Sequence, residues 1–473
     1  MKIYNTLTRQ IDTIVPLQAG RIGVYSCGPT VYDYPHIGNW YTNVRMDTLV
    51  RALRSEGLKT TWVMNITDVG HLTSDADDGE DKLEKGARRE GKTAWEVAEF
   101  YTNDFMAGLN LLHIQTPDHI VKATDHITEQ IELIQRLDAK GYTYVIDDGV
   151  YYDTSKFEGY AAFANLDLDE QQAGARVSFN SQKRNASDFA LWKFSPQAKQ
   201  RDMEWDNPFG NGRKGFPGWH VECSAMSMKY LGESFDIHTG GIDHVPVHHT
   251  NEIAQSEAAT GKRLAQYWLH SNHATVNGDK ISKSLGNGIR LQDISDRGIA
   301  IDAVRLNILE SHYRSQSKFS WDSLEAADNR LQHWRALAAH VWQPDPKIKS
   351  ESVSAALAGA AKDIAAALAD DLNTPLILSH VDQALAVLET QTVAVADVEP
   401  LRAFLAYLDA ILGINLLNAN GPLDETILQL IEQRQAARAA SDWAASDELR
   451  AKLQSLGYKL KDLPTGGTQW SRL

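Results

Sequence analysis

Two short apolar runs, at residues 21–27 and 59–66, predict strands that lie buried within a sheet. The segment between them carries apolar side chains near helical spacing, at Trp40, Val44, Leu49 and Leu53. Gly57 supplies a stop for the helix that this spacing predicts. A strand, a helix and a strand in close succession form the βαβ unit of a parallel sheet, so this part of the chain is predicted to be α/β.

A second group of elements follows a long intervening segment. Phe235–His238 predicts another strand, and Thr239-Gly240-Gly241 predicts a tight turn at its end, before a helix that begins near His248. Residues 111–215 separate the two groups and are interpreted as an insertion. We therefore expect one sheet built from two separated stretches of sequence.

The pattern becomes entirely helical after about Asp322. Ala-rich segments alternate there with short breaks that hold Pro or Asp, which is typical of an antiparallel bundle. A last amphipathic helix is predicted from about Leu423 to Leu456, with an interruption near Ser441 and a short tail after it.

Length and composition narrow the class of protein. With 473 residues the chain is too long for one hydrophobic core, and its 43% hydrophobic and 23% charged residues are ordinary for a globular protein. No stretch reaches about 18 uncharged apolar residues, so no membrane-spanning helix is predicted. The first residues lack the apolar core of a signal peptide, and a cytoplasmic enzyme is expected.

The cysteine content weighs against a disulfide-stabilised protein, and the net charge weighs against a nonspecific nucleic-acid-binding protein. Two cysteines are too few for a disulfide scaffold, and a formal net charge of −15 argues against indiscriminate binding to nucleic acid. The balance reverses locally from Gln433 onward, where the basic residues are Arg434, Arg438, Arg450, Lys452, Lys459, Lys461 and Arg472. A solvated helix face and a contact with a polynucleotide both fit this pattern.

Candidate phosphate-binding residues occur in two motifs. The first, Pro35-His36-Ile37-Gly38-Asn39, opens the first predicted helix, where backbone N–H groups and the helix dipole attract phosphate. Gly38 leaves room for a base against the backbone, and Asn39 can donate a hydrogen bond to a phosphate or a ribose. By itself such a string is also typical of a capping loop that binds nothing.

The second motif, Lys280-Ile281-Ser282-Lys283-Ser284, lies in a loop flanked by Gly278 and Gly286. The ammonium groups of Lys280 and Lys283 can neutralise charge that develops on phosphates as pyrophosphate leaves. A solvated basic loop would be the simpler interpretation if the first motif were absent. Together the two motifs predict that the chain binds a triphosphate.

Four metal-ligating side chains are candidates for a zinc site. Cys27 ends the first strand, Cys223 lies far along the chain, and His248 and Glu252 are four residues apart and so project from one helix face. Two thiolates, an imidazole and a carboxylate are a credible set of zinc ligands. The spacing is unlike that of a zinc finger, so two buried, unreactive thiols are an open alternative.

The two phosphate motifs resemble those of class I aminoacyl-tRNA synthetases, and segments along essentially the whole chain resemble cysteinyl-tRNA synthetases. These segments are Cys27–Asp33, Asn65–Asp68, Asp188–Lys193, Gly218–Met226, Asn251–Ser256, His312–Arg314, Asp371–Pro375 and Ala444–Arg450. The sequence departs from the usual family motifs at three positions, with Asn39 in place of His, Ile281 in place of Met and Thr250 in place of Glu.

The resemblance implies a ligase that makes cysteinyl-adenylate from L-cysteine and Mg²⁺-ATP and transfers cysteine to the 3′ end of tRNA(Cys). It implies one Zn²⁺ per chain that binds the substrate thiolate, with Cys27, Cys223, His248 and Glu252 as ligands. The implied catalytic residues are His36, Asn39, Lys280 and Lys283, which with Gly38 would also bind ATP. The implied cysteine pocket is lined by Thr30, Thr67, Trp219, His238 and Asp243. A monomer without a membrane partner is expected.

The implied fold is α/β: a Rossmann-like parallel-sheet catalytic domain with a connective insertion, then an α-helical bundle and a small C-terminal module, both expected to bind the anticodon side of tRNA. The expected boundaries are 1–110 for the first half of the catalytic domain, 111–215 for the insertion, 216–310 for the second half with the lysine loop, 311–345 for a region that contacts the tRNA stem, 346–422 for the bundle and 423–473 for the C-terminal module.

Two other functions stay open at this point. A related ligase of the type used in mycothiol biosynthesis would transfer cysteine to a small amine and would not need an anticodon-reading region, whereas this chain keeps residues 345–473. A binding protein that retained the fold without the chemistry would not need either lysine of the second motif or the four zinc ligands.

Overall fold

The computed structural model describes residues 1–70, 72, 79–165, 180–196, 201–210, 212–281, 286–348, 352–419, 421–462 and 468–472. The chain divides into two compact units: unit 1 comprises Met1–Leu291 with Tyr313–Lys318, and unit 2 comprises Gln292–His312 with Phe319–Leu473. Within the described ranges, none of the helices is both long and apolar enough to cross a membrane.

Unit 1 is built from short strands and helices. Its strands are β1 (Lys2–Asn5), β2 (Gln10–Thr13), β3 (Arg21–Ser26), β4 (Lys59–Ile66), β5 (His119–Lys122), β6 (Thr143–Ile146), β7 (Gly149–Tyr152), β8 (Phe189–Phe194), β9 (Gly215–Pro217), β10 (Phe235–Gly241), β11 (Ala265–Ser271), β12 (Ala274–Val276) and β13 (Asp279–Lys280). Its helices are α1 (Ile37–Ser55), α2 (Lys82–Glu90), α3 (Ala94–Leu111), α4 (Ile127–Ala139), α5 (Trp219–Leu231) and α6 (Thr250–Thr260).

A five-stranded sheet in the order β11-β10-β3-β4-β5 forms the centre of unit 1. Each pair of neighbouring strands is parallel. Every residue of β10 is buried, as expected for a strand that is covered on both faces of a parallel sheet. The predicted βαβ unit is confirmed, since β3 and β4 coincide with the two apolar runs and α1 connects them.

The direction of strand order changes between β3 and β10. The chain adds β4 and then β5 on one side of β3, and it places β10 and then β11 on the other side. The connections that leave neighbouring strands diverge at such a point, which opens a crevice at the carboxyl ends of the strands. Cys27 directly follows β3 at this crevice, and Gly241 ends β10 beside it.

The predicted turn at Thr239-Gly240-Gly241 is wrong. These residues continue β10, with Gly240 opposite His270 and Gly241 opposite Ser271 in β11. A glycine pair is typical of a turn, but here glycine permits close packing instead. A Cβ atom on Gly240 would lie 2.6 Å from Cε1 of His249, so a side chain at this position would exclude that imidazole.

The insertion begins later than the expected boundary at residue 111. β5 (His119–Lys122) lies beyond that boundary and completes the parallel sheet beside β4. The insertion contains an antiparallel sheet in the order β6-β7-β8-β9, whose last strand ends at Pro217. Its apolar face, which includes Trp192, belongs to one core with Val221 of α5 and Ala254 of α6. The insertion therefore packs against the two helices that carry Cys223 and Glu252.

The elements after Leu291 are mostly helical, as predicted. They are α7 (Leu291–Ser295), α8 (Ile301–Leu309), β14 (Ser317–Phe319), α9 (Trp321–Ala338), α10 (Ser352–Ala369), α11 (Thr374–Thr390), α12 (Val398–Leu412), α13 (Leu416–Ala419), α14 (Glu425–Ala439), α15 (Trp443–Ser455), β15 (Tyr458–Asp462) and β16 (Thr468–Arg472). The predicted interruption near Ser441 separates α14 from α15, and Ser441 itself has a left-handed φ of 60°.

The entirely helical pattern predicted after Asp322 does not extend to the C-terminus, because the short tail predicted after Leu456 contains two strands. β15 and β16 form an antiparallel pair in which Lys459 lies opposite Ser471 and Lys461 opposite Gln469. Tyr458 and Trp470 point the other way, into a small core with α14 and α15. The alternation of apolar and basic residues from Tyr458 has the two-residue period of a strand, which the helical interpretation overlooked.

Ion pairs hold three of the basic residues of the C-terminal part in place. Asp462 accepts two hydrogen bonds from Arg434, at 2.7 and 2.9 Å, and lies within 3.0 Å of Arg438 and 3.1 Å of Arg450. The hydrogen bonds from Arg434 lower the pKa of Asp462 to about 2, although partial burial opposes them. Lys459 and Lys461 are exposed on the outer face of the hairpin.

Candidate active site and metal centre

Cys27 is brought to the centre of unit 1 by an unusually close approach of two chain segments. A Cβ atom on the next residue, Gly28, would lie 1.8 Å from the carbonyl oxygen of Asn65, so only glycine fits there. The backbone N–H of Gly28 donates to Oδ1 of Asn65 at 2.8 Å. The end of β3 is thus fixed against the end of β4, and Cys27 faces the crevice between β3 and β10.

The four predicted zinc ligands converge at this crevice. One ligand atom from each of Cys27, Cys223, His248 and Glu252 lies within 4.8 Å of all the others. Cys223 comes from the first turn and a half of α5, His248 from a π-helical turn at Val245–His249, and Glu252 from the start of α6. Three of the four side chains are buried and Cys27 is half-buried. The donor set and its compactness fit a tetrahedral Zn²⁺ site.

Contacts within this cluster shift the pKa values of all four candidate ligands, and they favour the ionised forms of Glu252 and Cys223. Burial opposes the charge of Glu252, but His238 and His248 outweigh it and lower the pKa of that carboxyl to about 2. A hydrogen bond from Cys27 lowers the pKa of the Cys223 thiol to about 6, whereas burial raises the pKa of Cys27. Burial also disfavours the imidazolium of His248, but Glu252 and Cys223 raise its pKa to about 10. A metal ion would replace the proton that His248 holds in this arrangement.

Two further histidines, His249 and His270, form a hydrogen-bonded chain that begins at Cys27. The sequence analysis missed this chain. Nε2 of His249 lies 3.3 Å from Sγ of Cys27, and its Nδ1 lies 2.7 Å from Nε2 of His270. Nδ1 of His270 in turn lies 2.7 Å from Oγ1 of Thr6. Burial lowers the pKa of both imidazoles, so they are neutral. The adjacent pair His248-His249 was the available signal, but only the first of the two was assigned a role.

His238 contacts a candidate metal ligand. Its Nε2 lies 2.9 Å from Oε2 of Glu252, and its ring stacks on Trp268 with centroids 4.4 Å apart. One ligand atom from each of Cys27, His238, His249 and Glu252 also fits within the same 4.8 Å limit. His238 is therefore placed to orient Glu252, while its contact with substrate cysteine stays a prediction.

The other predicted pocket residues border the same crevice. Thr30 and Thr67 form a parallel β-bridge beyond the ends of β3 and β4. The ring of Trp219 lies over His248 with centroids 4.3 Å apart, so one wall beside the metal ligands is aromatic. Asp243 is exposed, and its carboxylate lies against the backbone of Gly241. A Cβ atom on Gly241 would be 2.3 Å from Oδ1 of Asp243. Thr250, the family departure, is buried and donates to the carbonyl of Val245 at 2.8 Å.

The first phosphate motif opens α1, as predicted. His36 is the N-cap residue, and its backbone N–H donates to Oδ1 of Asn39 at 3.0 Å. Asn39 therefore caps its own helix, and its Nδ2 group is the donor that could reach a ligand. Gly38 packs close to the second motif, since a Cβ atom there would be 3.0 Å from Cδ1 of Ile281.

The second motif is described only in part. Lys280 ends β13 and is exposed, opposite Thr275 of β12. Lys283 lies outside the described residues, as do Ser282 and Ser284. Ile281 is half-buried against Gly38, which explains why an apolar residue of this size suits the position. The described part of the motif thus lies beside the N-terminus of α1.

Comparison with known proteins identifies the family. A family model described as the catalytic domain of class I (C) tRNA synthetases matches residues 13–329, and a model described as the anticodon-binding domain of cysteinyl-tRNA ligase matches residues 420–470. The chain belongs to the cysteine–tRNA ligase family. Its curated relatives include the Cysteine--tRNA ligase of Treponema denticola, with 43% identity over 100% of both chains. Another is Cysteine--tRNA ligase 1 of Burkholderia lata, with 45% identity over 98% of this chain and 96% of the relative.

Solved structures support the same fold. The methionyl-tRNA synthetase of Mycobacterium tuberculosis, in complex with methionyl-adenylate, superposes with a TM-score of 0.59 and 14% sequence identity. The match covers 86% of this chain and 95% of that protein. The class I synthetase fold predicted from the sequence is therefore confirmed for this member of the cysteine–tRNA ligase family.

We predict that the purified protein holds about one Zn²⁺ per chain and that Cys223→Ser lowers the zinc content at least tenfold, because a hydroxyl is a poor ligand at neutral pH. Elemental analysis after dialysis against a weak chelator measures this. Ser224→Ala, a change at the neighbouring buried position of α5, is the control and should retain the metal. Wild-type protein that is free of zinc yet fully active would contradict the prediction.

Proposed function

We propose that this chain activates L-cysteine with Mg²⁺-ATP and then transfers it to tRNA(Cys). In the first step the cysteine carboxylate attacks the α-phosphate of ATP, which gives cysteinyl-adenylate and pyrophosphate. In the second step a terminal ribose hydroxyl of the tRNA, the 2′-OH as class I membership implies, attacks the adenylate carbonyl and releases AMP. The observation that carries this proposal is the convergence of Cys27, Cys223, His248 and Glu252 in the unit that also contains the phosphate motifs.

The proposed site selects cysteine by the chemistry of its thiol. When bound by these four residues, Zn²⁺ would supply a soft Lewis acid that prefers a thiolate to the hydroxyl of serine. Trp219 closes one side of the crevice over His248, which limits the size of the side chain that can enter. His238 holds the carboxylate of Glu252 in place through a hydrogen bond. Ligands held in fixed positions maintain the preference of the metal for a thiolate over a hydroxyl.

The side chains promote the activation step by positioning the substrates and by stabilising negative charge on the phosphates. They need not form covalent bonds to the substrates in such a transfer. His36 and Asn39 lie at the N-terminus of α1, where backbone N–H groups attract phosphate. Lys280 and Lys283 would meet the β- and γ-phosphates and offset the negative charge that grows as pyrophosphate leaves.

The C-terminal module is the proposed contact with the anticodon side of the tRNA. Arg434 is buried and ion-paired with Asp462, so it contributes to the module's own structure. The exposed side chains of Lys459 and Lys461 project from the same face of the hairpin as Gln469 and Ser471. Such a face, with two cations and two hydrogen-bonding groups, suits a sugar–phosphate backbone.

The alternative of a ligase for a small amine is not favoured. Residues 420–470 match a domain model that is specific to the anticodon binding of cysteinyl-tRNA ligases. A small-amine ligase would have no use for such a domain.

The direct test of the proposal is ATP–pyrophosphate exchange. Exchange should depend on cysteine, should fall at least a hundredfold with serine, and should occur without tRNA, because the thiol contact decides selection. Charging of tRNA(Cys) transcripts with labelled cysteine tests the second step. Exchange that serine supports as well as cysteine would refute the proposed selection.

We predict that Lys283→Ala slows adenylate formation by about two orders of magnitude or more, since one contact to a developing charge is worth roughly 3 kcal/mol. The KM for cysteine should stay within about twofold, because the ammonium group meets phosphate rather than the thiol. Lys262→Ala is the matched control: Lys262 is exposed and pairs with Glu233 at 2.7 Å. Normal exchange by Lys283→Ala would mean that this loop does not hold the phosphates.

We predict that the double change Lys459→Glu and Lys461→Glu raises the KM for tRNA about tenfold or more and flattens its dependence on salt, because phosphate contacts are lost. Pyrophosphate exchange should not change. The matched control is Lys2→Glu with Lys59→Glu, which reverses two exposed lysines of unit 1, outside the regions expected to bind tRNA. If the two double variants charge tRNA with equal kinetics, the hairpin does not contact the tRNA and the prediction is wrong.

A further inference from the structure

Arg45 is a buried cation on the helix that carries the first phosphate motif. It lies about two turns after the start of α1, and only 4% of the residue is exposed. Burial lowers its pKa to about 10, so the guanidinium stays charged at neutral pH. A buried charge is tolerated only where hydrogen bonds replace its water, so the partners of Arg45 are under strong geometric constraint.

The hydrogen bonds of Arg45 reach two segments outside its own helix. Nη1 donates to Oγ of Ser271 at 2.9 Å and to the carbonyl oxygen of Asn272 at 3.0 Å. Nη2 donates to Oγ of Ser317 at 2.5 Å. Ser271 ends β11 and Ser317 begins β14, and Asn272 follows Ser271 directly. One planar guanidinium thus joins α1, the end of β11 and the start of β14.

These two segments form the base of the hairpin that carries Lys280. β12 begins two residues after Asn272, pairs with β13, and lies between β13 and β14 in a three-stranded sheet. The N–H of Ser317 donates to the carbonyl of His273 at 2.9 Å, and Oγ1 of Thr275 donates to the carbonyl of Ser317 at 3.1 Å. A shift of Ser317 would therefore move the strand beside β13.

A second attachment joins α1 to the other end of the lysine loop. The N–H of Ile37 donates to the carbonyl of Ile289 at 2.7 Å, after the chain has passed through the loop. Arg45 fixes the chain before the loop, and Ile37 fixes it after the loop. Both attachments lie on α1, the helix that presents His36.

We propose, on the basis of the proposed function, that Arg45 is a positioning residue for the activation step. It holds the base of the Lys280 hairpin at a fixed place on α1, so that Lys280 and His36 meet the same triphosphate. Lysine cannot replace it, because an ammonium group is a point charge, whereas the planar fork of arginine donates in several fixed directions at once. Misplacement of a catalytic group by about 1 Å can cost about a hundredfold in rate, so a loosened hairpin should be visible in the kinetics.

The test compares Arg45→Lys with the wild type in two assays. In cysteine-dependent ATP–pyrophosphate exchange, kcat should fall about tenfold or more while the KM for cysteine stays within about twofold, since the metal-site cluster is not touched. In hydrogen exchange followed by mass spectrometry, deuterium uptake should rise in peptides that cover 272–280 and not in those that cover the middle of α1, because the hairpin loses its anchor.

Arg51→Lys is the matched control. Arg51 is another buried arginine of α1, but it donates to Asp47 at 2.7 Å and to the carbonyl of His113 at 2.5 Å. Its replacement should lower thermal stability by a similar amount without the selective change in kcat or in the uptake of 272–280. If Arg45→Lys and Arg51→Lys have the same effects in both assays, Arg45 is only a stabilising residue and the proposal is wrong.

A milder variant keeps the test decisive if Arg45→Lys does not fold. Ser317→Ala removes one acceptor of the guanidinium and should change kcat and hydrogen exchange in the same direction by a smaller factor; unchanged values in both would overturn the proposal. Failure of the proposed function would appear differently, as wild-type protein without cysteine-dependent exchange. The hydrogen-exchange comparison would still report whether Arg45 anchors the hairpin.

Discussion

The buried carboxylate of Glu252 is the group on which the rest of the site depends. A fully buried negative charge is costly, and here His238 at 2.9 Å and His248 at 3.1 Å compensate for it. Those two imidazoles come from β10 and from the π-helical turn before α6, so both elements must meet Glu252 at one point. The strand order places the end of β3, and with it Cys27, at that same point. Gly240 leaves the space that His249 occupies next to this point. The core of the insertion packs against α5 and α6, the helices that carry Cys223 and Glu252.

Local pattern was sufficient to predict the elements that build the sheet. Continuous apolar runs give β3 and β4 because both faces of these strands are covered, and the helical spacing between the runs gives α1. The candidate ligands could also be named from the sequence. The chain has only two cysteines, and the four-residue spacing of His248 and Glu252 is that of one helical turn. The resemblance to a family then selected a metal site over two inert thiols, a choice that spacing alone could not make.

What the sequence did not predict depends on contacts between distant segments. The His249–His270 contact joins the π-helical turn before α6 to β11 and needs the gap that Gly240 leaves in β10. Two consecutive glycines nevertheless suggest a turn when only their neighbours are considered. The pairing of β15 with β16 was missed because a short strand with lysines on alternate positions is also compatible with a solvated helix end. Arg434 could not be distinguished from a free cation until Asp462 was placed beside it.

The C-terminal module shows why net charge is a poor guide to a polynucleotide partner. The chain is acidic overall, with a formal charge of −15, and three of its local arginines cluster around the single carboxylate of Asp462. Two exposed cations of the hairpin, Lys459 and Lys461, lie on one face because a strand alternates its side chains. A few cations on a rigid face can direct a phosphate backbone, while the acidic remainder of the surface repels it elsewhere. The proposed contact with tRNA therefore depends on the placement of a small positive face rather than on a basic composition.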